Sequence, residues 1–329
     1  VIDLDNSLLP CQFRTIRNLQ SVFDLQKSET PDPLSQIIRL LQPRAVFSKG
    51  ITAAGRWAVR SSAFGHPGFA AMTLGRCRLA VEGEAPVMLE EGDFVLLPAV
   101  PAFSMSGSEP AQPVLLDPGA EPFAQGEVRY GHQDGPPEMR QFGGWFVFGS
   151  PDAALIVALL PRMIHIRGIA RLTHLVQLLG DEAARDDPGR GMILERLVEI
   201  LLIEALRAAP ADDNRPGLLR GLADPRLAAA LRRMHGDIAH SWTIGGLAQA
   251  AAMSRSAFFD RFVRMVGLRP MEYLQSWRMA VAKDLLRRGG LALDEVAGRV
   301  GYGSASTFST AFSRHVGMPP GRYMRGESA

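Results

Sequence analysis

Two stretches of this chain repeat one another at a fixed interval. MSRSAFFDRFVRMVGLRPMEYL (253–274) returns as GSASTFSTAFSRHVGMPPGRYM (303–324), so Phe258, Phe262, Gly267, Pro270 and Tyr273 reappear as Phe308, Phe312, Gly317, Pro320 and Tyr323. The likeness extends upstream, where Leu247, Ala248 and Ala251 answer to Val296, Ala297 and Val300. The offset is 49 before the break in the pattern and 50 after it, so the second turn is one residue longer. Each copy predicts a short helix, a tight turn (Ala252–Met253 or Gly301–Gly303) and a second helix with its phenylalanines on one face. Thr243 opens the first short helix, Ser254 is the expected N-cap of the helix after it, and Asp224-Pro225 starts an earlier one. Ala248 and Ala297 stand four residues before each turn and let two helices cross closely, as a helix-turn-helix unit requires.

Between the copies the pattern predicts one long helix, 270–288, stopped by Gly289-Gly290. At about 1.5 Å per residue it spans ~28 Å, against the ~34 Å between successive major grooves on one face of B-DNA. Two units on one strut can thus reach two adjacent grooves, and the expected partner is double-stranded DNA. Charge agrees. The whole chain carries 36 Lys+Arg against 34 Asp+Glu, but residues 218–329 hold 16 against 8, a net of +8, which leaves 20 against 26 elsewhere. An Arg-rich solvated surface would give the same balance, so the repeat decides.

The repeated phenylalanines are expected in the core. Exposed residues at the front of each second helix are the candidates for DNA: Arg255, Ser256, Phe259, Asp260 and Arg261, then Ser304, Ser306, Thr307, Ser309 and Thr310. Small hydroxyls suit phosphate oxygens or base edges, and Arg suits guanine or phosphate. Arg261, with Arg264 and Arg314, is expected at phosphate or on the surface rather than at bases.

Upstream the pattern differs. Residues 1–31 carry no periodicity and are expected to form a flexible tail; a short helix follows from about Asp32, with Leu34, Ile37, Ile38 and Leu41 at helical spacing and Pro43 ending it. RWAVR, FAAMTL, RCRLAVEG, PVMLEEGDFVLLP and GGWFVFG then read as short strands closed by turns, predicting a sandwich or barrel up to about residue 150. Residues 151–209 read as helices. The last of them is apolar over more than one face (Ile193, Leu194, Leu197, Leu201, Leu202, Ala205), which suits burial in its own domain or a homodimer interface. Residues 210–219 are the expected linker and 220–329 the DNA-binding domain. Two cysteines, Cys11 and Cys77, are too few for a disulfide framework or a Cys-type zinc site. The N-terminal residues have no basic flank before an apolar block and no run spans a bilayer, so a cytoplasmic protein without membrane association is expected.

Residues 220–325, through LAQAAAMSRSAFFDRFVRMVGLRPMEYL, WRMAVAKDLLRR and VAGRVGYGSASTFSTAFSRHVGMPPGRYMR, resemble the DNA-binding domain of AraC/XylS-type transcription regulators. The resemblance implies base contacts at Ser256, Phe259 and Asp260 and at Ser306 and Thr310, and RNA polymerase as a further partner. Phe259 and Asp260 stand where other family members often use polar or cationic side chains, and Asp260 could accept only from a base amino group, most naturally cytosine. Ala252 stands where the turn often has Gly, at a strain of order 1 kcal/mol if its φ is positive. The strand-rich segment 44–149, with LLPRMIHI (159–166), resembles the cupin-like barrel that precedes this module in one branch of the family. The expected fold is therefore α+β: an N-terminal cupin-like β-barrel with following helices, then an all-α domain of two helix-turn-helix units joined by a long helix.

Cupin enzymes hold metal with histidines and a glutamate. Here the corresponding positions fall on Gly68, Phe103 and among Ser61, Ser62, Ala63 and Phe64, with His66 alone nearby, so no metal, cofactor or catalytic residue is expected. A small-molecule effector could enter the barrel, where strand alternation turns Trp57, Met72, Cys77, Leu79 and Phe103 inward; the same residues could simply fill it. Three readings stay open: a regulator with an effector in its barrel, one gated by cysteine oxidation or a partner protein, and a cupin enzyme carrying a DNA module.

Overall fold

The computed structural model describes residues 32–63, 65–109, 111–116, 127–150, 153–209 and 216–326. The proposed tail 1–31 with Cys11, Phe64 and most of the expected linker lie outside them. The helix α1 (Pro33–Leu41) starts where the sequence predicts, with Pro33 at its first position and the Asp32 carboxylate accepting from Ser35 N. Its apolar residues divide between two cores. Ile38 packs beneath the sheet of the N-terminal half, whereas Ile37, Leu40 and Leu41 enter the core of the first helix-turn-helix.

Two sheets form the N-terminal half. The first runs β11–β6–β3–β10–β1–β9, built from β1 (Pro43–Ala54), β3 (Gly68–Leu74), β6 (Phe94–Leu97), β9 (Val128–Gly131), β10 (Met139–Phe148) and β11 (Ile164–Ile166). The second runs β5–β4–β7–β2–β8, built from β2 (Ala58–Ser61), β4 (Arg76–Val81), β5 (Val87–Glu90), β7 (Phe103–Ser106) and β8 (Val114–Leu116). The pairs β1/β9 and β2/β8 are parallel and the rest antiparallel. Alternation in β4 is as read: Cys77, Leu79 and Val81 are buried and Arg76 and Arg78 exposed.

One strand was not singled out and one expectation is corrected. RAVFSKGITA belongs to the long strand β1 beside β10, a strand hidden by the Gly50 that interrupts its apolar pattern. MIHI, placed among helices, yields the strand β11 after a five-residue helix, α2 (Ala153–Val157); Ile164 and Ile166 are buried on one face while His165 bonds Asp93 on β6's side. The outer face of the first sheet is covered by α3 (Ala170–Ala183) and α4 (Arg190–Ala208), through Phe146, Leu172, Leu179, Val198 and Leu201. On α4, Leu194, Leu201, Leu202 and Ala205 are buried as expected, but Ile193 is exposed, with Met192 and Ile200 beside it.

The C-terminal half is helical: α5 (Leu218–Ala223), α6 (Pro225–Gly236), α7 (Ile244–Ala250), α8 (Arg255–Val266), α9 (Pro270–Arg288), α10 (Leu293–Arg299), α11 (Ala305–Val316) and α12 (Pro320–Met324). Helix α9 is the predicted strut. Polar bonds join the halves where α1 meets it. Gln42 donates to Asp284 at 3.0 Å, Arg287 to Ser150 at 3.2 Å, and Gln36 to the His235 carbonyl at 2.9 Å.

Candidate nucleic-acid interface and barrel cavity

The two turns are built alike. Met253 N donates to Ala248 O and Tyr302 N to Ala297 O, both at 2.9 Å, closing each short helix against the turn. At the shared turn position the backbone is left-handed in both copies: Ala252 has φ 51° and Gly301 φ 80°. The strain expected at Ala252 is therefore present. Ser254 Oγ then accepts from Ala257 N at 3.3 Å and Ser304 Oγ from Thr307 N at 3.2 Å, which fixes the front of α8 and of α11. Gly267 and Gly317, at φ 88° and 85°, end those helices in matching left-handed caps.

Phe258, Phe262, Phe308 and Phe312 are fully buried and unavailable to DNA. Arg255, Ser256, Phe259 and Asp260 are exposed on α8, and Ser306, Thr307 and Thr310 on α11. Ser256, Phe259 and Asp260 lie three and four residues apart, hence on one face, as do Ser306 and Thr310. Phe259, at the front of α8, is 36% exposed, unlike the buried Phe258 and Phe262 of the same helix. The hydroxyls of α11 are preset: Thr310 Oγ1 donates to Ser306 O at 3.1 Å, and Thr307 Oγ1 lies 3.0 Å from Ser304 Oγ. Ser309 is half-buried.

Two candidates have internal duties instead. Ser304 is the cap just described. Arg261 places Nε and Nη2 at 2.5 Å from Asp224 Oδ2, while Asp224 Oδ1 takes Arg226 N and Leu227 N at the start of α6. Burial opposes the charge on Asp224, but those backbone donors and Arg261 hold its carboxyl below the usual range. Arg261 thereby ties α8 to α6 rather than standing free for phosphate. A residue the sequence reading did not single out does related work on the strut. Arg278 Nε donates to Ile238 O at 2.9 Å and Nη2 to His240 O at 2.8 Å, and its guanidinium lies 6.0 Å from the Tyr302 ring centre. It braces the loop after α6 against the second turn.

A cavity of about 470 Å³ lies between the two sheets, within the ~300–1,000 Å³ range of small-molecule sites. Trp57, Leu79 and Phe103 line it, as the alternation suggested. Met72 and Cys77 do not. They are buried against one another, Sγ to Sδ 3.9 Å, in the same core. Burial pushes the Cys77 thiol up to about 12, so the side chain offers little thiolate at neutral pH. Sequence reasoning missed the opposite wall, formed by Ile51 on β1 and Gln141, Gly143 and Trp145 on β10. Its only signal was a lone Gln within a Gly- and aromatic-rich strand. Among the described residues no three His, Cys, Asp or Glu side chains gather to hold a metal, and His66 stacks on Trp145 with ring centres 5.7 Å apart. No described helix is long and apolar enough to cross a membrane.

Residues 32–211 match the family model of a cupin domain and 247–326 that of a helix-turn-helix domain. An AraC-like transcription regulator of Streptomyces lividans is 38% identical over 304 residues, 89% of this chain and 98% of that one. The HTH-type transcriptional regulator AlkR of Acinetobacter baylyi is 35% identical over 182 residues, 53% of this chain and 58% of its own length. The solved DNA-binding domain of AdpA, in complex with a target DNA, matches with a TM-score of 0.29 and 30% identity over 30% of this chain and 89% of that one. With both modules matched and a full-length relative at this identity, the chain belongs to the AraC family of DNA-binding transcription regulators, its helix-turn-helix domain preceded by a cupin domain.

Proposed function

We propose that the front of α8 and the front of α11 read two adjacent major grooves from one chain, under the control of a small molecule held between the sheets. Ser256, Phe259 and Asp260 supply base contacts from the first helix, with Asp260 suited to a cytosine amino group and Phe259 to a thymine methyl. Ser306 and Thr310 supply them from the second, and Arg255 and Thr307 hold phosphate. The observation that carries this reading is the pair of capped, outward helix fronts on one continuous strut. Control has a physical route, because β1 takes Ile51 to the cavity wall and follows directly on α1, whose Ile37, Leu40 and Leu41 sit in the first unit's core.

A second copy of the chain docks on α4, where Met192, Ile193 and Ile200 are exposed beside the Arg196–Glu199 ion pair. The setting is the cytoplasm, and RNA polymerase is the further partner. The test is selection of binding sites from random duplex DNA by the full chain, repeated with Ser256→Arg and Thr310→Arg. Each variant should change the preferred bases in its own half of the site, with affinity for unrelated DNA changed less than threefold. Wild-type affinity should also fall steeply between 50 and 200 mM salt. Equal loss on all sequences would remove these residues as readers. Sedimentation of wild type and Ile193→Glu tests the dimer, which the variant should dissociate.

A further inference from the structure

We propose that the cavity takes an uncharged, mainly apolar molecule bearing a hydroxyl group, and that Gln141 selects for that hydroxyl. The inference rests on the cavity being the effector site and adds what it admits. The wall is aliphatic and aromatic: Val59, Leu79, Val95, Leu97, Phe103 and Trp145 are part of it. Gln141 interrupts it. The residue is 3% exposed, and among the described residues its Nε2 meets only the Met105 thioether at 3.7 Å and its Oε1 has no hydrogen-bond partner. Met105 lines the same cavity. A buried amide whose sole contact is a weak acceptor is costly to keep, since an unpaired buried group loses its hydration without replacement.

A hydroxyl is the complement, because it donates to Oε1 and, with the amide turned over, accepts from Nε2. Three further polar side chains on the wall are already engaged. Ser61 Oγ donates to the Ser62 carbonyl at 3.0 Å, and Lys49 and Tyr130 have interactions of their own. No carboxylate lines the cavity among the described residues, and Lys49 is the cation of the wall. No unengaged charge therefore awaits an ion.

Space on this side comes from Gly143, next but one to Gln141 on the same strand face. A Cβ there would meet the Ile51 side chain at 3.4 Å and the Phe69 carbonyl at 3.5 Å, both ordinary contacts, so a longer side chain can be accommodated at the backbone and grow into the cavity.

The test is calorimetric binding of 1-naphthol, naphthalene and 1-naphthoate to the full chain. The three share one ring system and differ in the group offered to Gln141. Wild type should bind 1-naphthol on the order of tenfold more tightly than naphthalene, with 1-naphthoate weakest. Gln141→Leu should bring 1-naphthol and naphthalene within about twofold of each other, and Gly143→Leu should abolish both. Gln141→Met, closer in shape, gives the same readout should the leucine variant not fold. Equal binding of 1-naphthol and naphthalene in wild type and in Gln141→Leu, still blocked by Gly143→Leu, would overturn the selectivity and leave the cavity as a general apolar site. Tightest binding of 1-naphthoate would overturn the uncharged class in favour of Lys49. Failure of all three to bind would remove the effector reading itself.

Discussion

In the first helix-turn-helix, Phe258 and Phe262 pack into a core that also receives Ile37, Leu40 and Leu41 from α1 and Ala153 and Ile156 from α2. In the second, Phe308 and Phe312 pack among Met279, Ala282, Leu286, Val296, Ala297 and Val300, all from the helical half. The repeated element is the same shape in two mechanical settings. The first unit cannot shift against the sheets without opening a shared core, whereas the second is held through the strut. The helix-turn-helix form is repeated, and what surrounds each copy sets which one shares a core with the N-terminal half.

The sharpest way to break this contrast is to cut each core. Phe262→Ala and Phe312→Ala should each cost about 3–5 kcal/mol. By hydrogen exchange, the first should loosen α1 and α2 along with α7 and α8. The second should loosen α10 to α12 and leave α1 protected. Identical exchange patterns would show the two units to be one cooperative block. Next come the turns. A Cβ on Gly301 would stand 2.7 Å from the Ala239 carbonyl at a left-handed φ, so Gly301→Ala should cost about 2–3 kcal/mol. The mirror change, Ala252→Gly, should raise the urea midpoint, a gain of about 0.5–1 kcal/mol offset in part by the freer unfolded chain.

A pH titration isolates the contact that belongs to the first unit alone. His235 bridges Gln36 Oε1, 2.8 Å from Nδ1, and Tyr273 Oη, 2.6 Å from Nε2. Burial lowers its pKa to about 3, with the charge of Asp32 opposing. The ring is thus neutral when folded and titrates near 6.5 when unfolded. Between pH 6.5 and 3 the unfolded chain binds more protons, so this residue makes stability fall with acidification, by at most about 1.4 kcal/mol per pH unit, and contributes no slope above 7. His235→Gln should flatten that part of the profile in urea unfolding between pH 7.5 and 5. The caps complete the comparison: Ser254→Ala and Ser304→Ala should each cost about 1 kcal/mol, read from exchange at the front of α8 and of α11. Unequal costs would mark the more exposed front.

The helical half was legible because its signals are local. A cap, a turn residue and a 3.6-residue period lie within a dozen positions, and Asp224, Thr243, Ser254 and Gly289 were readable as starts and stops. The sheets were harder. β1 is defined by its partner β10 nearly a hundred residues away, and Ser48, Lys49 and Gly50 blur its alternation. The cavity wall was legible on the β2, β4 and β7 side, where alternation is regular. It was illegible at Gln141, whose meaning depends on Met105 across the barrel. The destination of α1 was hidden for a related reason: Ile37 and Ile38 are neighbours in sequence, and nothing local says that they enter different cores.

The brace made by Arg278 has a consequence for the DNA rather than for the protein. By linking the loop after α6 to the second turn, it restrains the distance and the rotation between the two helix fronts. Each base pair added between their contacts moves the second set along the duplex by ~3.4 Å and turns it by about a tenth of a revolution. A jointed reader could follow such a change; a caliper cannot. The operators of this protein should therefore vary in letters far more readily than in spacing.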